Sequence, residues 1–393
     1  MKPFGAATLK CNRGLLLSVV AAAAIGFVWR VWYLGPILSI LLIPLVVRQK
    51  TRWSRYAVAL SYYLAGASGI PLASAVFFGP GHLVEGILLW IGSSALLAAG
   101  WAFVDRAWKA ILVLLFDALV PPLSFFDWMS PLSAAGVFFP WSGVFGVVLL
   151  LVWIPSVAKA WQEKRGWIPL VLVPLALNLT TQVVHRPPLP SRIEGLNLRV
   201  GPSTPSLLKN IERLHRWVAV ADRHKKAKIL LLPETLVTWW PGNAAYVERH
   251  VPRGQIWLVG ASIPLKQPGV FADGIEAVTD KGSRMVFGSV LPVPVSMWRP
   301  WHKPSDAPFG QDYKAYWWPQ RVRMAGDRLV AEICYDQLLP FAWIEDSLYL
   351  PRAVLLTNNE WWAKGTGIPQ IQRASSWAWS RLIGARRIEA ENA

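Results

Sequence analysis

Two cysteines among 393 residues, Cys11 and Cys334, make no disulfide framework, and Cys334 is left without an evident partner as a thiol available for chemistry. The six histidines are dispersed without metal-ligand spacing, and no Gly-rich phosphate loop is present. Neither a metal nor a nucleotide cofactor is therefore expected. Internal repeats, heptad arrays and low-complexity tracts are also missing. Acidic residues are scarce in the first part of the chain: up to residue 185 there are five Asp or Glu against thirteen Lys or Arg, and almost everything between them is apolar. Such a segment belongs in a membrane.

Long hydrophobic runs take the place of the missing acids. Seven apolar stretches, near 14–29, 31–47, 56–77, 82–104, 108–126, 134–156 and 167–183, approach the length that crosses a hydrocarbon core of about 30 Å. The first two can form a tight hairpin around Arg30. Lys2, Lys10 and Arg13 precede the first stretch, Arg48, Lys50, Arg52 and Arg55 follow the second, Arg106 and Lys109 the fourth, and Lys159, Lys164 and Arg165 the sixth. The alternate connections carry almost no Lys or Arg, so the positive-inside rule predicts a cytoplasmic N-terminus, and seven crossings leave residues 186–393 outside. A competing reading makes Lys10–Ala24 a cleaved signal peptide, without changing the location of the later residues. Against it, the apolar character continues through Phe27 and Trp29. Cys11, beside the first stretch, is either a lipidation site or an inert boundary residue.

Residues 186–393 carry 27 basic and 18 acidic side chains. The basic ones are scattered without a nucleic-acid reader motif, so direct nucleic-acid binding is not expected, and attraction to anionic lipid headgroups accounts for the charge. Pro187, Pro188 and Pro190 suit a stiff linker. Leu196–Val200 alternates as a short strand, and Thr204 with Pro205 predicts the start of a helix on which Leu207, Ile211, Leu214, Val218 and Ala221 share a face. Strands are predicted over 228–233, 256–263, 274–279, 284–290, 329–335 and 353–357, and a last helix from Pro369 to about Arg387. This pattern predicts an α/β layered fold.

Two of the buried strands end in reactive side chains: Leu232-Pro233-Glu234, and Ile333-Cys334-Tyr335-Asp336. A carboxylate and a thiol aimed from rigid strand ends are a base and a nucleophile. The alternative is a small buried core thiol and a strand-end carboxylate held by a structural partner. Asn358, Asn359 and Glu360 follow another strand and are expected to line the same end of the sheet as supporting hydrogen-bond groups, or else to serve as turn residues. The pairs Trp239–Trp240, Trp317–Trp318 and Trp361–Trp362 suit a headgroup-level surface, an acyl-chain cavity or ordinary core.

Leu-Pro-Glu at 232–234, Ile-Cys-Tyr-Asp at 333–336, Thr-Asn-Asn-Glu-Trp-Trp at 357–362 and Gly-Ile-Pro-Gln at 367–370 occur in the order seen in the nitrilase superfamily. With its polytopic first part the chain resembles the apolipoprotein N-acyltransferases. Pro292–Trp301 looks more like the TraB conjugal-transfer branch. The resemblance implies a polytopic α-helical membrane domain (1–185) joined to an α-β-β-α nitrilase-like (CN hydrolase) domain (186–393) that faces the periplasm from the bacterial inner membrane. It further implies acyl transfer through a Cys334 thioester with Glu234 as base, Tyr335, Asp336 and Asn358 in support, membrane phospholipid as acyl donor, and conjugation-apparatus or lipoprotein partners. The family also has a catalytic lysine, and alignment on Pro292 puts Phe287 there and Val295 at a second family glutamate. Lys281, Arg284 and Lys303 are the candidate substitutes. The acyltransferases return to the membrane after the catalytic domain, whereas here no apolar stretch follows the last predicted helix. The alternative function is a catalytically degenerate envelope scaffold for conjugation.

Overall fold

A computed structural model describes residues 13–393 except 32, 165, 185–191, 205 and 305–310. The Pro187–Pro190 linker and Cys11 lie outside the described residues. The first part is helical: α1 (Arg13–Val28), α2 (Leu34–Ser39), α3 (Leu42–Val47), α4 (Arg52–Gly66), α5 (Ile70–Phe78), α6 (Leu83–Trp101), α7 (Ala107–Leu119), α8 (Ala134–Phe138), α9 (Val144–Glu163) and α10 (Trp167–Val183). Where seven crossings are expected, two runs among the described residues, Arg52–Phe78 and Pro80–Trp101, are long and apolar enough to span a bilayer. The second expected stretch is broken into two short helices, and the sixth is broken at residues 139–143 between α8 and α9. Gly26 lets α1 and α4 touch backbone to backbone, since a Cβ there would overlap the Tyr62 carbonyl.

Two sheets follow. The first runs β1 (Ile193–Gly195), β2 (Ile229–Leu231), β3 (Ile256–Pro264), β4 (Val270–Thr279), β5 (Gly282–Gly288), with the short β6 (Asp312–Tyr313) beside β4. The strands β1, β2 and β3 are parallel, and β3, β4 and β5 antiparallel. The second sheet contains β7 (Val322–Met324), β8 (Asp327–Ile333), β9 (Ala353–Asn359) and β10 (Arg386–Asn392), in the order β10-β9-β8-β7. Alternation along each strand decides the layers. Ile229, Leu231, Leu258 and Ile275 share one core with Leu329, Ala331, Ala353 and Leu355 of the other sheet. Their neighbours Leu230, Leu232, Trp257 and Val259 instead pack on α11 (Leu207–Ala221) and α12 (Trp240–Glu248). On the far face, Val330, Val354 and Leu356 meet α13 (Pro340–Tyr349) and α14 (Ile368–Ile383), together with the helical bundle. The order is helix, sheet, sheet, helix, because a period of two presents alternate residues to opposite faces.

Three predicted boundaries move. Helix α11 starts at Leu207 with Ser206 as its cap, accepting from Lys209 N, so Thr204 lies outside it. Strand β1 falls at Ile193–Gly195 rather than Leu196–Val200, where only Leu198 forms a bridge, to Asn392. The last helix stops at Ile383, where Gly384 adopts left-handed φ, and the chain reverses into β10 parallel to β9.

The bundle and the sandwich are one packed body at α14. A Cβ on Gly136 of α8 would overlap the Ala378 carbonyl, Trp141 N donates to Arg381 O at 2.8 Å, and Arg381 Nη2 donates to Asn178 Oδ1 at 2.7 Å.

Candidate active site

The carboxyl ends of β2, β8 and β9 converge, the usual location of ligand sites in sheets with parallel strands. Glu234 follows β2, Cys334 follows β8, and Asn358 and Asn359 close β9. Cys334 is 8% exposed and takes φ +47°, the left-handed region, in a short turn of Cys334–Leu338. A non-glycine residue costs of order 1 kcal/mol there, and such positions cluster at functional sites. Glu234, 6% exposed, lies beside the Cys334 thiol and accepts from the Asn359 backbone N–H at 3.0 Å on Oε2. The sequence-predicted base and nucleophile are therefore brought together.

The supporting residues act elsewhere than expected. Tyr335 points to the bundle: its hydroxyl donates to the Phe125 carbonyl at 2.5 Å and accepts from Trp128 Nε1 at 2.7 Å. Asp336 accepts from Ser289 Oγ (3.0 Å), Val290 N (2.9 Å), Leu291 N (2.9 Å) and Ile333 N (3.3 Å), pinning the loop after β5 to the cysteine turn. Burial pushes this carboxyl up to about 6 in spite of those four donors. Asn358 Oδ1 accepts from Gln337 Nε2 at 2.8 Å, away from the thiol, and Glu360 is held by Arg373 at 2.8 Å.

None of the three candidate cations joins the pair. Lys281 sits exposed in the β4–β5 turn, and Arg284, also exposed, pairs with Ala277, roughly 13 Å along β4 from Asp273. Lys303 is exposed beside His302, whose ring contacts Asp312 at 2.9 Å. Phe287, at the family's lysine position, is buried between the sheets. A carboxyl occupies the site instead. Asp273 of β4 is buried, lies beside Glu234 and accepts from Thr235 Oγ1 at 3.2 Å. Its sequence context, the apolar run of β4, carried no signal; only the antiparallel pairing with β3 places it beside Glu234. Gln372 of α14 was missed as well. Its Nε2 donates to the Cys334 carbonyl at 3.0 Å and lies 4.0 Å from Sγ.

Electrostatics follow from this composition. Burial pushes the Cys334 thiol up, and Glu234, Asp273 and Asp336 push it further, so the resting group is a neutral thiol. Burial and then Asp273 raise Glu234. Asp273 is raised by burial first and Asp336 second. Two adjacent raised carboxyls hold a proton between them more readily than two charges.

No protein-family model matches the chain. The conjugal transfer protein TraB of Agrobacterium fabrum is 27% identical over 403 residues, covering 96% of this chain and 92% of that protein. Over nearly its whole length the chain is similar to the TraB proteins. The probable conjugal transfer protein TraB of Sinorhizobium fredii is 28% identical over 369 residues, covering 87% of this chain and 90% of its own. Among solved structures, an amidase of the nitrilase superfamily from Nesterenkonia matches 52% of this chain and 78% of its own with 16% identity and a TM-score of 0.33. A CN-hydrolase superfamily protein of Xanthomonas campestris matches 43% and 64%, with 13% identity and a TM-score of 0.28.

Proposed function

We propose that this TraB-like chain is a membrane-embedded protein of plasmid conjugal transfer whose sandwich carries out acyl transfer through a Cys334 thioester. The observation that carries the chemistry is the Glu234 carboxyl set beside a thiol held at φ +47° on the strand ends. Because the thiol is neutral at rest, attack on an acyl ester couples to proton transfer. The S–H proton passes to Glu234 as sulfur bonds to the carbonyl carbon, and the carbonyl electron pair moves to oxygen. Collapse breaks the ester C–O bond, the leaving alcohol takes the proton from Glu234, and an acyl thioester remains. An amine acceptor then attacks that thioester and restores the thiol, losing one proton. A carboxyl whose proton affinity is raised by burial suits this exchange.

The membrane reading rests on surface chemistry. Leu17, Val20, Leu88, Phe116, Phe145, Val152, Leu172 and Leu179 of five helices are all exposed, more apolar side chain than a water-facing bundle presents. Phospholipid, an acyl ester within reach of a bundle-mounted site, is the proposed donor. Lipoprotein or conjugation-apparatus components are the proposed amine-bearing partners, with the bundle in the inner membrane and the sandwich on its periplasmic side.

The acidic surroundings of Cys334 favour one second reading, a degenerate scaffold that keeps the fold for assembly. Losing one oxyanion donor costs about 100 to 1000-fold in rate. Conjugation by a Cys334→Ala strain separates the two: transfer frequency collapses if the thiol does chemistry and is unchanged if the chain only scaffolds.

A further inference from the structure

Phe125 lies in the connection after α7, which exposes Phe116 and Leu119, with Val120 exposed just beyond its end. Its ring meets Trp298 at 5.6 Å and Trp317 at 5.9 Å between centroids. Trp298 and Trp317 pack edge to face at 5.2 Å, and Trp298 leads on to Trp301 at 6.5 Å. The track ends in the open: Trp301 is 67% exposed and Trp318 66%. It therefore runs without a break from the side of the helical bundle onto the rim of the sandwich. The other predicted tryptophan pairs are spent differently, since Trp240 is buried and Trp361 and Trp362 pack on Phe77.

We infer that this tryptophan track, built on the loops 293–303 and 314–318, seats the sandwich in the headgroup layer of a phospholipid bilayer. The inference rests on the membrane reading above and adds a second, non-helical contact. Three features select phospholipid as the occupant. Indole is an amphipathic ring that concentrates at the membrane interface, apolar in body with one N–H to hydrate. The track continues the apolar side of α7, where Phe116 and Leu119 stay exposed, at the helix end nearest the sheets. Exposed Lys303 and Lys314 flank it, the latter over the Tyr316 ring, and offer ammonium groups to lipid phosphates. The track also reaches the chemistry. Phe125 gives its carbonyl to Tyr335, the residue after Cys334, so a bilayer gripping the track would sit two residues from the thiol.

The test is photo-crosslinking of the full chain in phosphatidylcholine–phosphatidylglycerol nanodiscs, using phosphatidylcholine with a diazirine either beside the headgroup or at the acyl end. The headgroup-proximal probe should label peptides spanning 293–303 and 314–318, and the acyl-end probe the helices. In a Trp301→Ser, Trp318→Ser variant the loop labelling should fall several-fold with helix labelling unchanged. Labelled helices with silent loops would overturn the inference and leave the membrane reading intact. Silent helices as well would overturn both.

Discussion

The Asn359 backbone N–H donates to Glu234 Oε2 at 3.0 Å, so the carboxyl that leaves one sheet is fixed by the last residue of a strand in the other. The bond ties β9 to the end of β2 across the sandwich and holds the carboxyl beside the Cys334 thiol and Asp273. Glu234→Gln keeps an acceptor for Asn359 and removes the base. Thioester formation should drop about 100 to 10,000-fold, with the melting temperature within a few degrees of the parent. Single-turnover acylation beside thermal unfolding checks both.

Cys334 combines left-handed backbone with a reactive side chain. Glycine relieves that conformation and alanine does not. Cys334→Gly is expected to be more stable than Cys334→Ala by about 0.5–1 kcal/mol, and both to lose all acylation. Denaturant midpoints of the two variants, at equal slope, make the comparison. Equal midpoints would remove strain from the account.

Much of this site was legible in the sequence, and the reason is local. Glu234 and Cys334 each close an apolar run of strand length, and a side chain at a strand end has its position set by the strand. Asp273, Gln372 and the Asn359 N–H gave no comparable signal, because what brings them in is pairing between strands far apart in the chain and the packing of α14. The α/β layering is legible in the β-rich runs, yet the last helix, expected to run to about Arg387, ends at Ile383, and the strand β10 that follows carries no signal of its own. Arg386–Asn392 has four charged residues in seven, and its strand character comes from lying along β9. The candidate cations were proposed from nearness in sequence to the family lysine, which the exposed β4–β5 turn does not convert into nearness in space.

Glu332 of β8 and Asp346 of α13 face each other fully buried, and their four oxygens find no donor other than the proton the pair shares. Burial raises both carboxyls. The unfolded chain releases these protons above about pH 4 while the folded chain keeps them, so stability present at low pH is lost as pH rises toward the folded values. Each such group costs about 1.4 kcal/mol per pH unit in that window. Asp346→Asn should flatten the fall in melting temperature between pH 5 and 8, and an unaltered slope would assign the dependence to other groups.

Tyr335 joins the cysteine turn to the bundle through Phe125 and Trp128. Tyr335→Phe strands a buried carbonyl and an indole N–H, at a cost of about 1–3 kcal/mol. It should slow Cys334 acylation through loss of position, with the sandwich still folded by circular dichroism. Unchanged acylation would mean that the turn holds its geometry without the bundle.

Thioester chemistry at Cys334 is the centre of the account, and intact-protein mass spectrometry after incubation with phospholipid tests it most directly. An acyl-sized mass increase that hydroxylamine removes and that Cys334→Ala never shows is the predicted result. No increase, with lipid demonstrably bound to the same protein, would contradict it.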